Sequence, residues 1–208
     1  MTNSLRILLV GAHGTLGRAI AAELGARHKI ISAGRSSADL IMDIADPASI
    51  RNGLKSAGQL DAVICAAGEV TFSPLADIAP APLGESKYAL GLTNKLLGQV
   101  NLALAAREVL RDRGSITLIA GILSERPIAA GSSASMVNGA IESFVRSAAI
   151  ELPRGLRINA VSPSVLAESM AQLAPFFRGF EAVPAARAAL AFSRSVEGLE
   201  TGQVYRVY

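Results

Sequence analysis

The stretch from Arg6 to Gly17, RILLVGAHGTLG, limits what this chain can fold into more than any other. A short apolar run ends at Gly11. Gly14 and Gly17 follow, and an amphipathic pattern runs from Thr15 to Arg27. In a strand–turn–helix unit, Gly11 makes the tight turn and Gly14 lets the backbone approach a ligand phosphate. Gly17 lets the helix pack against the strand. The helix N-terminus adds free N–H groups and a partial positive charge. The span containing Gly11, His13, Gly14, Thr15, Leu16 and Gly17 therefore reads as the pyrophosphate grip of a dinucleotide site. The competing reading is a tight turn with no ligand.

The remainder of the chain repeats the same alternation. Apolar runs HKIISAG, DLIMDI, DAVICAAG, SITLIAG, RINAVSP and GQVYRVY are short, continuous and bounded by Gly, Asp or Pro. Strands buried on both faces of a parallel sheet read this way. Amphipathic stretches lie between them: Pro47 to Ala57, roughly Glu85 to Arg111, and Ser135 to Glu151. The expected fold is α/β, a Rossmann-type doubly wound three-layer sandwich with a central parallel sheet of about seven strands. The less regular segment LAESMAQLAPFFRGFEAVPAA follows the sixth strand, where a loop would cover a ligand at the carboxyl ends of the strands.

With 208 residues, residues 1–208 form a single domain. Half the residues are hydrophobic and 18% are charged, enough for a large core and too little charge for disorder. Cys65, the single cysteine, excludes an internal disulfide and reads as a buried thiol. Two distant histidines give no metal-site spacing. A net charge of +3 without a basic block argues against nucleic acid as a partner. No run is long and apolar enough for a membrane span, and the apolar start is too short for a signal peptide, so a cytoplasmic location is expected.

The end of the second strand reads AGRSS. An acidic residue there would bind free ribose hydroxyls. Arg35 followed by Ser36 instead suits a 2′-phosphate, which makes NADP(H) the expected cofactor in preference to NAD(H). The bland alternative for Arg35 is a solvated surface arginine, and for His13 an exposed turn residue. Asp43 and Ile44 fall where an adenine ring would lie, and Asp46 before Pro47 reads as a helix cap.

With these features in place, the chain resembles the short-chain dehydrogenase/reductase family over nearly its whole length. CAAG at Cys65 to Gly68 is similar to the family's Asn-Asn-Ala-Gly, which implies cofactor contacts from Ala66, Ala67 and Gly68. AAIELPRGLRINAVSPSVL resembles the sixth-strand region and implies contacts from Pro163, Val165 and Leu166. The final TGQVYRVY resembles the last strand, without the usual Val-Asp-Gly-Gly. Through the helices carrying NLALAARE and SFVRSAAIEL, the resemblance implies a homodimer or homotetramer.

The family's active-site residues do not carry over. The tyrosine position falls on Ala134, the lysine on Asn138, the serine on Gly121 and the helix asparagine on Lys95. Alanine can neither transfer a proton nor donate a hydrogen bond from its side chain. Loss of a positioned acid–base group costs on the order of 10²–10⁴ in rate. This pattern resembles an atypical subgroup that keeps the cofactor site without the standard residues. Lys95 is the candidate replacement proton donor. Its competing reading is a structural lysine bonding carbonyls at a helix kink. Asn138 can keep the ribose contact as a neutral donor. Ser124 and Glu125 are further polar groups in the loop after Gly121, near the expected site, and Tyr88 lies two helical turns before Lys95 on the same face, at a distance from it; the competing reading of all three is an ordinary surface or interface residue. The functional reading is an NADP(H)-binding oxidoreductase with a non-standard proton donor and an unidentified carbonyl or alcohol substrate. The alternative is a catalytically silent NADP(H)-binding sensor or partner subunit.

Overall fold

The computed structural model describes residues 4–208. In β1 (Arg6–Val10), Ile7 and Leu9 point to one face of the sheet and Leu8 and Val10 to the other, and all four are buried. A run without polar alternation is stable only as a strand covered on both sides. β4 (Leu60–Cys65), β6 (Arg157–Pro163) and the second half of β5 (Leu110–Ile119) are buried in the same way, β2 (Lys29–Gly34) is half-buried, and short β3 (Leu40–Ile41) and β7 (Val204–Val207) lie at the edges. The sheet is seven-stranded in the order β3-β2-β1-β4-β5-β6-β7. Every pairing is parallel.

Helices complete the two outer layers. α1 (Thr15–Gly25) and α6 (Ala185–Glu197) cover one face, burying Ile20, Leu24 and Phe192 against Ile7, Leu9 and Ile64. α2 (Pro47–Ala57), α3 (Leu97–Ala106) and α4 (Ser132–Glu151) cover the other, with Leu54, Leu102, Ile141 and Val145 over Leu8, Val63 and Ile116. The doubly wound three-layer sandwich expected from the sequence is thus the observed fold. Cys65 is a buried free thiol whose pKa burial pushes up to about 12. Among the described residues no helix is long and apolar enough to cross a membrane.

Three boundaries differ from the sequence reading. The stretch expected to be one helix from Glu85 to Arg111 is a six-residue π-helical turn, Gly91–Leu96, running into α3, and Leu110 already pairs with Leu60 in the sheet. α4 starts earlier than Ser135, at Ser132. In DLIMDI only Leu40–Ile41 is strand, because the chain then turns through Asp43, whose carboxylate accepts from the Ala45 N–H at 2.9 Å. The irregular segment after β6 holds a short helix, α5 (Met170–Leu173), and a parallel bridge between Leu166 and Val183.

The start of α2 follows the sequence to the residue. Asp46 accepts from the Ala48 N–H at 2.8 Å, and Pro47 opens the helix where no N–H is needed. Asp46→Ala is expected to cost about 1 kcal/mol of unfolding free energy in urea titrations, with an unchanged slope.

Candidate functional site

Strands β2, β1 and β4 end level with one another, since Val10 pairs with both Ala33 and Cys65. The strand order reverses between β1 and β4, so a crevice opens above β1. Gly11 turns the chain there with φ +83°, its N–H donating to the Ala33 carbonyl at 2.8 Å. A Cβ at Gly17 would lie 2.0 Å from the Gly11 oxygen, so α1 reaches this close only because that position is glycine. Gly14 is different. Its φ is −70°, and a Cβ would meet nothing nearer than the Gly11 oxygen at 3.5 Å. The protein itself does not require a glycine at this position. It opens α1 without any side-chain cap, so the N–H groups of the first turn stay free for an anion.

The crevice encloses 260 Å³. Gly11, His13, Gly14 and the strand end of β1 form its floor. Arg35, Ser36, Asp43 and Ile44 close one side, and Ala67, Gly68, Glu69 and Asn94 the other. His13 is exposed. Its carbonyl accepts from Arg18. Thr15 and Ala66 line neither this crevice nor the neighbouring cavity. Ala66 instead supplies backbone against which Gly11 closes, 2.9 Å from a Cβ built there. Asp39, in the loop after β2, is turned back onto Ser32, accepting from its N–H at 2.9 Å and its hydroxyl at 2.7 Å. Those bonds lower its pKa.

A second cavity of 220 Å³ adjoins the crevice at the carboxyl ends of β5 and β6. Leu16, Pro163, Val165 and Leu166, read from the sequence as cofactor contacts, line this cavity and not the crevice, together with Val70, Phe72 and Ile122. Ser169, Leu173 and Phe177, from the irregular segment, form its outer wall. Two polar side chains meet in this largely apolar space. Lys95 Nζ donates to Asn138 Oδ1 at 2.8 Å and to the Ala120 carbonyl at 3.2 Å. Asn138, 3% exposed, donates in turn to the Gly121 carbonyl at 3.2 Å. Burial pulls the Lys95 ammonium down to about 8. Ala134 lies in the wall with no polar group to offer.

The other expected polar residues are engaged elsewhere. Tyr88 puts its hydroxyl 3.1 Å from Ser132 Oγ and lies outside the cavity wall. The sequence expectation counted helical turns from Lys95, and the π turn in between rotates the faces out of step. Ser124 donates to the Glu142 carboxylate at 2.6 Å, and Glu125 pairs with Arg206.

Three site residues escaped the sequence reading. Gln99 is fully buried. Its amide donates to the carbonyls of Lys95 and Ile119 at 3.1 and 2.9 Å and accepts from the Ile119 N–H at 2.8 Å. It thereby ties the π turn to the end of β5. Asn94 accepts from the Glu69 N–H at 2.8 Å. Glu69 itself pairs with Arg35 at 2.7 Å. A glutamine inside the mostly apolar run LLGQVNLALAA was the available signal for Gln99. Glu69 offered none.

A family model described as enoyl-(acyl carrier protein) reductase matches residues 12–205. Among solved structures, the protein lin1944 from Listeria innocua is 48% identical, over 99% of this chain and 100% of that one, with a TM-score of 0.94. A small-chain dehydrogenase in complex with NADPH is 23% identical over 99% and 97% of the two chains, with a TM-score of 0.84. A short-chain dehydrogenase/reductase, glucose/ribitol dehydrogenase, from Brucella melitensis is 19% identical over 98% and 94%, with a TM-score of 0.83. The last two likenesses are likenesses of fold. None of the curated proteins compared with the chain matches it.

The glycine turn separates packing from ligand binding experimentally. Gly17→Ala is expected to lower stability by about 3 kcal/mol or more, because backbone must move to admit the methyl. Gly14→Ala is expected to stay within about 1 kcal/mol of wild type in unfolding titrations. Its dinucleotide affinity, read by calorimetry, should fall at least about tenfold.

Proposed function

The chain belongs to the short-chain dehydrogenase/reductase family, and from that premise we propose that it is an NADP(H)-dependent oxidoreductase in which Lys95 replaces the missing tyrosine as proton donor. One observation carries this reading: the half-buried Lys95 ammonium stands in the wall of an apolar cavity that adjoins the dinucleotide crevice. The residues present fit the cofactor. Gly11, Gly14 and the uncapped N-terminus of α1 would hold the diphosphate. Asp43 and Ile44 would flank the adenine, and Arg35 with Ser36 would take the 2′-phosphate. The NADPH-bound neighbour, of similar fold, supports the same cofactor.

When bound, the nicotinamide supplies or accepts the hydride. The chain's own residues supply the rest. An ammonium has three N–H donors. Ala120 and Asn138 take two and fix the direction of the third, which is left for a substrate oxygen. Reduction of a carbonyl then adds hydride to carbon and the Lys95 proton to oxygen, leaving a neutral amine that solvent reprotonates. Apolar side chains of Val70, Phe72, Ile122 and Phe177 surround the place of the reacting oxygen and would reduce its solvation once a substrate fills the cavity, which strengthens the electrostatics there. An uncharged carbonyl compound small enough for the cavity is the substrate class that suits these walls. The family resemblance also points to a homodimer or homotetramer, and exposed Leu97 and Leu104 on α3 are apolar side chains that such a contact would cover.

The silent alternative is favoured by one specific feature: Gly121 and Ala134 bring no hydroxyl to the cavity wall. The two readings part on turnover. With NADPH and a panel of small apolar ketones and aldehydes, Lys95→Met is expected to lower turnover by about 10²-fold or more and to leave calorimetric NADPH affinity unchanged. Turnover in the wild type that survives this change would remove Lys95 from the mechanism. No turnover on any carbonyl compound would favour the silent reading. The pH dependence has a definite sign. A proton donor must be protonated, so reduction should be fastest below about 8 and fall above it, while alcohol oxidation rises through the same range. Arg35→Asp is expected to weaken NADPH about tenfold or more and NADH far less.

A further inference from the structure

The Arg35–Glu69 ion pair joins two walls of the crevice above β1. Arg35 follows the carboxyl end of β2, and Glu69 stands in the loop after β4. In the sheet, β1 with its glycine turn lies between those two strands. The side chains meet at 2.7 Å above that turn, and both line the same cavity as Gly11, His13 and Gly14. Glu69 is tethered by its backbone, whose N–H donates to the buried Asn94 side chain at 2.8 Å. Arg35 is 66% exposed on a long stem, and so it is the partner that can leave. The neighbouring acids already have partners of their own: Asp39 is held by Ser32, and Asp43 accepts from the Ala45 N–H.

We propose that Glu69 is a specificity-determining residue, whose carboxylate holds Arg35 across the crevice and competes within the chain against the 2′-phosphate of the cofactor. The inference rests on the NADP(H) reading of Arg35 and deepens it. A phosphate offers the guanidinium a charged, bidentate partner and draws it away from Glu69. A ribose hydroxyl is a neutral acceptor and does not. NADPH therefore exchanges one ion pair for another on binding, whereas NADH leaves the existing pair in place. Glu69 narrows the preference that Arg35 creates. Because the pair is exposed and weak, the effect is a small factor. Because it is electrostatic, it shrinks as salt rises.

The test is calorimetric titration of the wild type and Glu69→Gln with NADPH and, separately, NADH, at low and at high salt. The substitution keeps the shape of the side chain and spares the Asn94 contact, which is made through the backbone. At low salt NADPH is expected to bind about threefold to fivefold more tightly to Glu69→Gln, and NADH to change by less than about twofold. At high salt the gain should disappear. Equal tightening of both cofactors would overturn the competition, because the pair would then be a barrier to any dinucleotide. An unchanged or weaker NADPH affinity would overturn it too, because Arg35 would then stay on Glu69 or never meet the phosphate. The two readings fail separately. Arg35→Asp weakening both cofactors alike removes the NADP(H) reading and this proposal with it. A selective loss in Arg35→Asp beside an unmoved Glu69→Gln removes the competition alone.

Discussion

The carboxyl edge of the sheet is built on one close contact, that of α1 with the turn that precedes it. A Cβ at Gly17 would sit 2.0 Å from the Gly11 oxygen, so the helix axis can come no nearer and, with any other residue, could not come so near. This approach aims the open N-terminus of α1 at the crevice. The left-handed turn at Gly11 then brings the chain against the backbone of Ala66, which brings the end of β4 level with that of β1. Two residues on, Gly68 leaves room for the stem of Lys95, whose Cγ would lie 2.6 Å from a Cβ there. The crevice and the cavity beside it are thus successive consequences of the same run of close backbone approaches.

Much of this could be read from the sequence because it is local. Continuous apolar runs such as AVIC, residues 62–65, have few ways to be satisfied except as strands covered on both faces. The glycine spacing and the Asp46-Pro47 cap are likewise contained in a few adjacent residues. What the sequence hid depends on partners far along the chain. The π turn at Gly91–Leu96 looked like ordinary helix, because apolar periodicity does not report hydrogen-bond register. The Lys95 carbonyl in that turn is taken by Gln99, which also brackets Ile119 on β5, and no local pattern announces that clamp. The Arg35–Glu69 pair joins residues that only the sheet order brings together.

At the cavity Gly121, Asn138 and Lys95 are coupled to one another. A side chain at Gly121 would start 3.0 Å from the Asn138 amide nitrogen, which now donates to the Gly121 carbonyl. Asn138 in turn presents its oxygen to Lys95. Both oxygens that receive the Lys95 ammonium, on Asn138 and Ala120, are neutral, and burial lowers its pKa to about 8, outweighing the opposing pull of the nearby Cys65 thiol. Gly121 makes room for Asn138, Asn138 directs Lys95, and Gln99 ties down the turn from which Lys95 projects, so a change at any one of these positions would disturb the others.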